Sequence, residues 1–329
     1  MTGLNTFFTL AFFLLLLPPI VYFSNMEWKL DRRSLSYGTR TLVMGVLNVT
    51  PDSFSDGGKF LDVNAAYARA QEMIDEGADI IDVGGESTRP GGEIVTAEEE
   101  LHRIIPVIER LAATSPVPIS VDTTKAIVAR TALDAGAEII NDISALRFDY
   151  HIADEVARSK AGLVLMHSRG TPATLHRMPP SPDIINEVRT SLHRSLNMAL
   201  RRGVSAESIA LDPGIGFGKT AEQNIELIAC LDRFAREFTE FPILIGTSRK
   251  SFIGRLLDDA KPNARIHGTM ATLAVAVLRG AHIVRVHDVR AAIETVRVVD
   301  AIGARMSPSD GTRGVSPATN VKHEPSGGS

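Results

Sequence analysis

The sequence predicts an α/β protein of the (β/α)8 TIM barrel class, folded as a single domain. Three observations predict it. Eight short, β-rich apolar runs recur along the chain, segments with helical spacing fill the intervals, and polar or charged residues follow run after run. A doubly wound open sheet shares the alternation and is the structural alternative. Near-continuous apolar strands favour the barrel, but spacing alone does not establish closure.

The runs lie at Leu42–Leu47, Ile80–Val83, Ile119–Val121, Ile139–Ile140, Leu163–Met166, Ile209–Leu211, Ile243–Ile245 and Ile283–Val286. After the first, Val63, Ala66, Ala70, Met73 and Ile74 recur at three and four, and Gly77 is placed to stop that helix. Thr96 with Glu99 reads as a capping box opening the next helix, whose buried stripe is Leu101, Ile104, Ile105, Val107 and Ile108. Further helices are expected over Ile127–Ala135, Ile152–Ser159, Ile184–Arg202, Ala221–Phe238, Gly268–Arg279 and Val289–Ile302. The long connection from His167 to Ile184 is the kind that covers barrel active sites.

The two ends read differently. Phe7 to Phe23 is almost wholly apolar, at the low edge of a membrane span, and is interrupted by Pro18-Pro19. No Lys or Arg precedes it, so the charged start of a signal peptide is missing. A membrane anchor, a degenerate signal and an upstream extension ahead of a start at Met26 compete. An anchor would leave Lys29, Arg32 and Arg33 on the cytoplasmic side. From Met306 the composition cannot bury a core and reads as a disordered tail. The expected organisation is therefore residues 1–26 as the apolar extension, 27–304 as the barrel and 305–329 as the tail.

Composition narrows the class. Of 329 residues, 44% are hydrophobic and 22% charged, which suits a globular protein. The net charge of -4 argues against a dedicated nucleic-acid binder, which would carry a basic surplus. Cys230 is the sole cysteine, so a disulfide framework and a cysteine zinc cluster are both excluded, and a reducing, cytoplasmic setting fits. The cytoplasmic face of a membrane is the alternative if residues 7–23 anchor the chain.

In a barrel the residues that follow the strands converge on one rim. Here they are Asn48, then Gly84 to Gly91 with Glu86, Thr88 and Arg89, then Asp122, Asn141 with Asp142, His167, Asp212, Thr247 to Lys250, and His287. Each has a bland reading as a helix cap or loop tie. Asp142 and Asp288 read as caps, and His167 as structural. Asp122 and Asp212 read as functional because both would face the rim. Arg285 and His287, two apart on one strand, form a cationic pair position suited to an anion. Arg249 and Lys250 are adjacent, so strand alternation would let only one face the pocket. DPGIGFGKT is not a phosphate loop: where the Walker pattern needs its first glycine, the chain has Pro213. Its glycines would instead allow close backbone approach to a flat ligand, with Phe217 stacking on it.

The stretch NVTPDSFSDGG from Asn48 resembles the signature of dihydropteroate synthase, the folate-pathway enzyme inhibited by sulfonamides. IIDVGGESTRPG, ISVDT, INDI, LMH, LDPGIGFGK, SRKSFIG and RVHDV are similar to that family's other motifs, in its order, over nearly all of residues 27–304. The resemblance implies a homodimeric barrel. It implies a reaction joining p-aminobenzoate to 6-hydroxymethyl-7,8-dihydropterin diphosphate, which gives 7,8-dihydropteroate and diphosphate. By matched motif, Asp122, Asn141, Asp212 and Lys250 would bind the pterin. Thr88, Arg285 and His287 would bind the diphosphate, and Asn48 its Mg2+. Phe54, Arg89, Pro90, Phe217 and Ser248 would form the aminobenzoate pocket. Asn48, Asp56, Lys250, Arg285 and His287 would carry the catalytic work. The loops Val49–Lys59 and Ser87–Gly92 would close over the site. A corrinoid-dependent methyltransferase barrel, a non-catalytic pterin-binding paralogue and an aldolase-like phosphate barrel are the rivals. The first lacks a reason for STRPG and RVH; the second would have lost Asn48, Lys250 or Arg285; the third wants a lysine inside a strand.

Overall fold

The computed structural model describes residues 25–50, 62–86, 95–171, 174 and 177–306. It begins with a short antiparallel hairpin, β1 (Met26–Lys29) and β2 (Ser34–Tyr37). The barrel strands follow: β3 (Leu42–Asn48), β4 (Ile80–Gly84), β5 (Ile119–Asp122), β6 (Ile139–Asp142), β7 (Gly162–Met166), β8 (Ile209–Asp212), β9 (Leu244–Ile245) and β10 (Ile283–Val286). All are parallel, in the order β8-β7-β6-β5-β4-β3-β10-β9. The ends of this sheet meet through the parallel bridge Leu211–Ile243, and the Leu211 amide donates to the Pro242 carbonyl at 3.0 Å. That seam excludes the open doubly wound alternative.

Helices α1 (Val63–Asp75), α2 (Ala97–Ala112), α3 (Ala126–Asp134), α4 (Ile152–Ser159) and α5 (Ile184–Arg201) surround the first five strands. α6 (Ala221–Ala229), α7 (Leu231–Glu237), α8 (Ser251–Leu256), α9 (Ile266–Leu278) and α10 (Val289–Met306) complete the ring. Gly77 follows α1 with φ +103°, as its stop position requires. The Thr96 box is half made. Thr96 Oγ1 accepts from the Glu99 amide, but the Glu99 carboxylate turns to Arg103. One expected helix, Ala221–Phe238, is two, broken at Cys230.

Alternation along the strands sorts the barrel into layers. Leu42, Met44, Ile80, Ile139, Val164, Ala210, Leu244 and Ile283 form an apolar inner floor, sealed from below by Trp28, Leu30 and Tyr37 of the hairpin region. The Trp28 indole donates to the Ser208 carbonyl at 2.8 Å, so its one polar atom is satisfied inside the seal. The other strand face packs on the helices through Val43, Ile81, Val121, Ile140, Leu163, Leu211 and Val284. Two residues above the floor, the inward positions turn polar: Asp82, Asn141, Asp212 and Arg285. The pleat that buries Ile283 therefore aims Arg285 upward into the mouth.

Candidate active site

The strand mouths enclose a cavity of about 410 Å³. Its walls include Asn48, Glu86, Asp122, Asn141, Asp212, Phe217, Ser248, Lys250, Arg285 and His287. Asn48 ends β3, Asp122 ends β5, and Asp212 ends β8. Asn141 is the third residue of β6, in register with Asp122. Residues as far apart as Asn48 and His287 thus share one chamber because each sits at or just past the carboxyl end of a parallel strand.

Arg285 organises one wall. Its Nε donates to Asp82 Oδ2 at 2.6 Å and an Nη donates to Asp122 Oδ2 at 2.9 Å. Asn141 Nδ2 donates to the same Asp82 oxygen at 3.1 Å. Burial pushes Asp122 well above the usual carboxylate range, Arg285 opposes this, and the Asp82 charge adds to it. Asp212 is raised to about 6 by burial, against the Gly214 amide that donates to it at 2.6 Å.

The neighbouring strand end, after β9, carries Lys250. Its ammonium stands 3.9 Å from the centroid of the Phe217 ring. Burial and the Arg285 charge lower it to about 8, and the Asp212 and Asp122 carboxylates resist. Strand alternation was the wrong frame for Arg249 and Lys250. β9 ends at Ile245, and the chain then turns, with Lys250 N donating to Thr247 O at 3.2 Å. Both residues border the cavity, but Arg249, at φ +59°, makes a bidentate pair with Asp288 at 2.6 and 3.0 Å. Lys250 alone keeps its charge for the chamber's centre.

His287 is not a second cation. Burial and nearby Arg285 take it down to about 3, so it enters neutral, joined to Ser248 Oγ at 3.0 Å. The expected cationic pair is one cation beside one neutral imidazole. Asp142 is not a helix cap either. It accepts from Ser144 N, Ser144 Oγ and Leu146 N, folding a turn in which Ala145 and Leu146 have positive φ. Asp288 does precede α10, but its carboxylate goes to Arg249. His167 is buried, lies outside this cavity's wall and borders a separate one with Arg147 and Arg169.

Asp82 was missed, and Glu86 was placed at the rim without a role. Asp82 lies inside an apolar strand, and its inward register with Ile80 and Gly84 was the available signal. Glu86 borders the cavity and pairs with Lys125 at 2.6 Å; Lys125 also holds the buried Glu100. Phe54, Asp56, Thr88, Arg89 and Pro90 lie outside the described residues, as do nearly all of the two loops expected to close.

Among the described residues no group of three or more His, Cys, Asp or Glu could hold a metal by itself. Asn48, with one carboxamide oxygen on the cavity wall, fits only a cation that takes most of its shell from water and substrate oxygens, as Mg2+ does.

A closed parallel barrel with buried carboxylates, an amide and a lysine at its mouth defines a barrel enzyme for a flat, donor-rich heterocycle. An arginine and a neutral histidine stand beside them on the same cavity wall. A family model described as pterin binding enzyme matches residues 44–287. The dihydropteroate synthase of Synechocystis is 50% identical over 266 residues, covering 81% of this chain and 91% of its own. Among solved structures, the Clostridium difficile dihydropteroate synthase determined with pteroic acid has 45% identity and a TM-score of 0.76, covering 81% of this chain and 98% of its own. The Xanthomonas albilineans enzyme with 4-aminobenzoic acid has 42% identity and a TM-score of 0.79, covering 85% and 99%. The chain belongs to the dihydropteroate synthase family of pterin-binding enzymes, and is a transferase of folate biosynthesis.

Proposed function

We infer that the chain condenses 6-hydroxymethyl-7,8-dihydropterin diphosphate with p-aminobenzoate, giving 7,8-dihydropteroate and diphosphate. One observation carries the site assignment: Asp122, Asn141, Asp212 and Lys250 share a cavity with Arg285 and His287. A pterin edge presents N–H donors beside a carbonyl. The carboxylates of Asp122 and Asp212 accept the donors, and Lys250 and Asn141 serve the acceptor side. Each charge-assisted bond contributes roughly 1.5–3 kcal/mol.

The bond from the pterin methylene to the diphosphate oxygen breaks, and a bond to the aryl nitrogen forms. The amine is neutral at pH 7, so no strong base is needed; its proton leaves to solvent after attack. Arg285 stabilises charge on the departing diphosphate, and neutral His287 donates a hydrogen bond to it. Mg2+, held by Asn48, would supply further neutralisation of that leaving group. Phe217 and Ser248 form the described part of the aminobenzoate pocket. Phe54, Arg89 and Pro90 are proposed for its remainder, Thr88 for the diphosphate and Asp56 for catalysis, on the resemblance alone.

We also propose a cytoplasmic homodimer whose functional unit is residues 27–304, with 1–26 and 305–329 dispensable for chemistry. The dimer is supported by α9 and α10, which pack side by side and leave Val275, Leu278, Val298, Ile302 and Met306 exposed. No helix among the described residues is long and apolar enough to cross a membrane. Membrane contact is proposed only if residues 7–23 are an anchor.

The test is diphosphate release by the purified full chain with Mg2+ and the dihydropterin diphosphate, with and without p-aminobenzoate. Amine-dependent release, lost in folded Asp122→Ala and Lys250→Ala variants, supports the reading. Pterin binding without any release would make the chain a non-catalytic paralogue.

A further inference from the structure

The glycine loop after β8 holds a lysine that the chemistry above does not use. Lys219 is absent from the cavity wall, yet its neighbours Asp212 and Phe217 both belong to it. Its ammonium donates to three backbone carbonyls: Gly214 at 2.6 Å, His167 at 3.2 Å and Phe217 at 3.2 Å. Three protons meet three acceptors, so the cation is fully satisfied without a carboxylate. Burial draws its pKa down to about 7 and the Asp212 carboxylate opposes this; only the charged form has three protons to donate.

The loop has little freedom around this centre. Gly214, Gly216 and Gly218 have φ of +69°, +85° and +73°. Gly214 N is tied to Asp212 Oδ1, Gly216 N to Asn224 Oδ1 at 2.6 Å, and Gly218 O to Arg169 Nη1 at 3.0 Å. Phe217 packs with Ile143 and Met166 and meets the Lys250 ammonium. One ammonium therefore joins the loop's first bend, the backbone behind its aromatic ring and the neighbouring end of β7. An inward lysine also explains the rejected phosphate-loop pattern: Lys219 grips its own loop, not a ligand.

We propose that Lys219 is a positioning residue for the synthase reaction, fixing the Phe217 ring relative to the Asp212 carboxylate so that the amine and the pterin meet in register. The inference rests on the proposed function, since it concerns both subsites of that reaction. It requires no contact between Lys219 and either substrate.

The experiment compares the full-length wild type with Lys219→Met and Lys219→Gln. Thermal melting reports folding, calorimetry with oxidised pterin reports the Asp212 subsite, and steady-state diphosphate release reports KM for p-aminobenzoate and kcat. The expected result, measured well below the melting point, is a KM for p-aminobenzoate raised at least tenfold and a weaker pterin Kd in Lys219→Met. Lys219→Gln, which keeps two donors, should fall between it and wild type, and it replaces the Met variant should that one not fold. A lowered melting temperature with KM and Kd within twofold of wild type would overturn the proposal by making Lys219 merely structural. If the wild type itself releases no diphosphate, the functional reading fails; a pterin Kd still weakened by the variants upholds positioning at the Asp212 end, and an unchanged Kd rejects it.

Discussion

The Lys250 ammonium lies over the face of Phe217, 3.9 Å from its centroid. That contact joins a residue proposed for the pterin to one proposed for the arene. It also holds a half-buried cation where a ring quadrupole compensates part of its lost hydration. Lys250→Met keeps the stem on Phe217 and deletes the charge. It should weaken pterin binding by roughly 10- to 100-fold, the loss of one charge-assisted bond, with the melting temperature held or raised. Calorimetry and a thermal melt decide this together; pterin affinity within twofold of wild type would remove Lys250 from the subsite.

The same groups set a pH window. As pH rises through about 6, Asp212 loses its proton and becomes an acceptor for N–H donors, and Asp122, also raised by burial, follows, so pterin affinity rises. As pH rises through about 8, Lys250 loses its proton and affinity falls. Affinity is expected to peak between these values. The alkaline limb should be missing in Lys250→Met, which isothermal titration across pH 5 to 9.5 would show.

Arg285 spans Asp82 and Asp122, and Asp82 is fully buried with its second oxygen unpartnered among the described residues. Arg285→Ala leaves two carboxylates without their cation, a loss of roughly 3–5 kcal/mol for a broken buried pair. Melting should drop by about 6–15 °C. Arg285→Lys restores a charge but not two directed donors. It should recover most of the stability and little of the diphosphate release.

Two glycines separate steric from conformational cost. A Cβ on Gly214 would sit 1.8 Å from the His167 oxygen, whereas at Gly203, φ +88°, the nearest atom is 3.8 Å away. Gly203→Ala should cost about 1–2 kcal/mol, the left-handed backbone penalty alone. Gly214→Ala should exceed about 3 kcal/mol, because backbone strain and overpacking add. Urea melts of both variants measure the difference, and equal losses would show that the loop relaxes.

The proposed dimer is checked at Val298 and Ile302, one turn apart on α10 and 60% and 51% exposed. Val298→Asp/Ile302→Asp should give a monomer in analytical ultracentrifugation with the melting curve shape retained. A chain already monomeric at micromolar concentration would end the dimer proposal.

Much of this protein is written locally. The eight apolar runs follow from burial on both strand faces and the helical stripes from period-3.6 burial, so strand and helix existence was legible. The run Ile243–Ile245 forms as β9 over Leu244–Ile245, but the break at Cys230 was not legible, because it leaves no periodic trace. Asp122, Asn141, Asp212, Lys250 and Arg285 were legible as strand-end polar residues and as matched motifs. Asp82 was hidden because a lone charge inside a strand says nothing about which neighbour neutralises it.

The sequence alone determined the alternation of strands and helices and the family. Only the tertiary structure decided closure at Leu211–Ile243, since that bridge joins strands with no local signal of their pairing. It also decided the charge of His287, the partners of Arg285 and the inward turn of Lys219. Those properties depend on burial and on distances between residues far apart in the chain. A side chain's protonation and hydrogen bonds are set by what surrounds it in space, and that is fixed once the strands share one mouth.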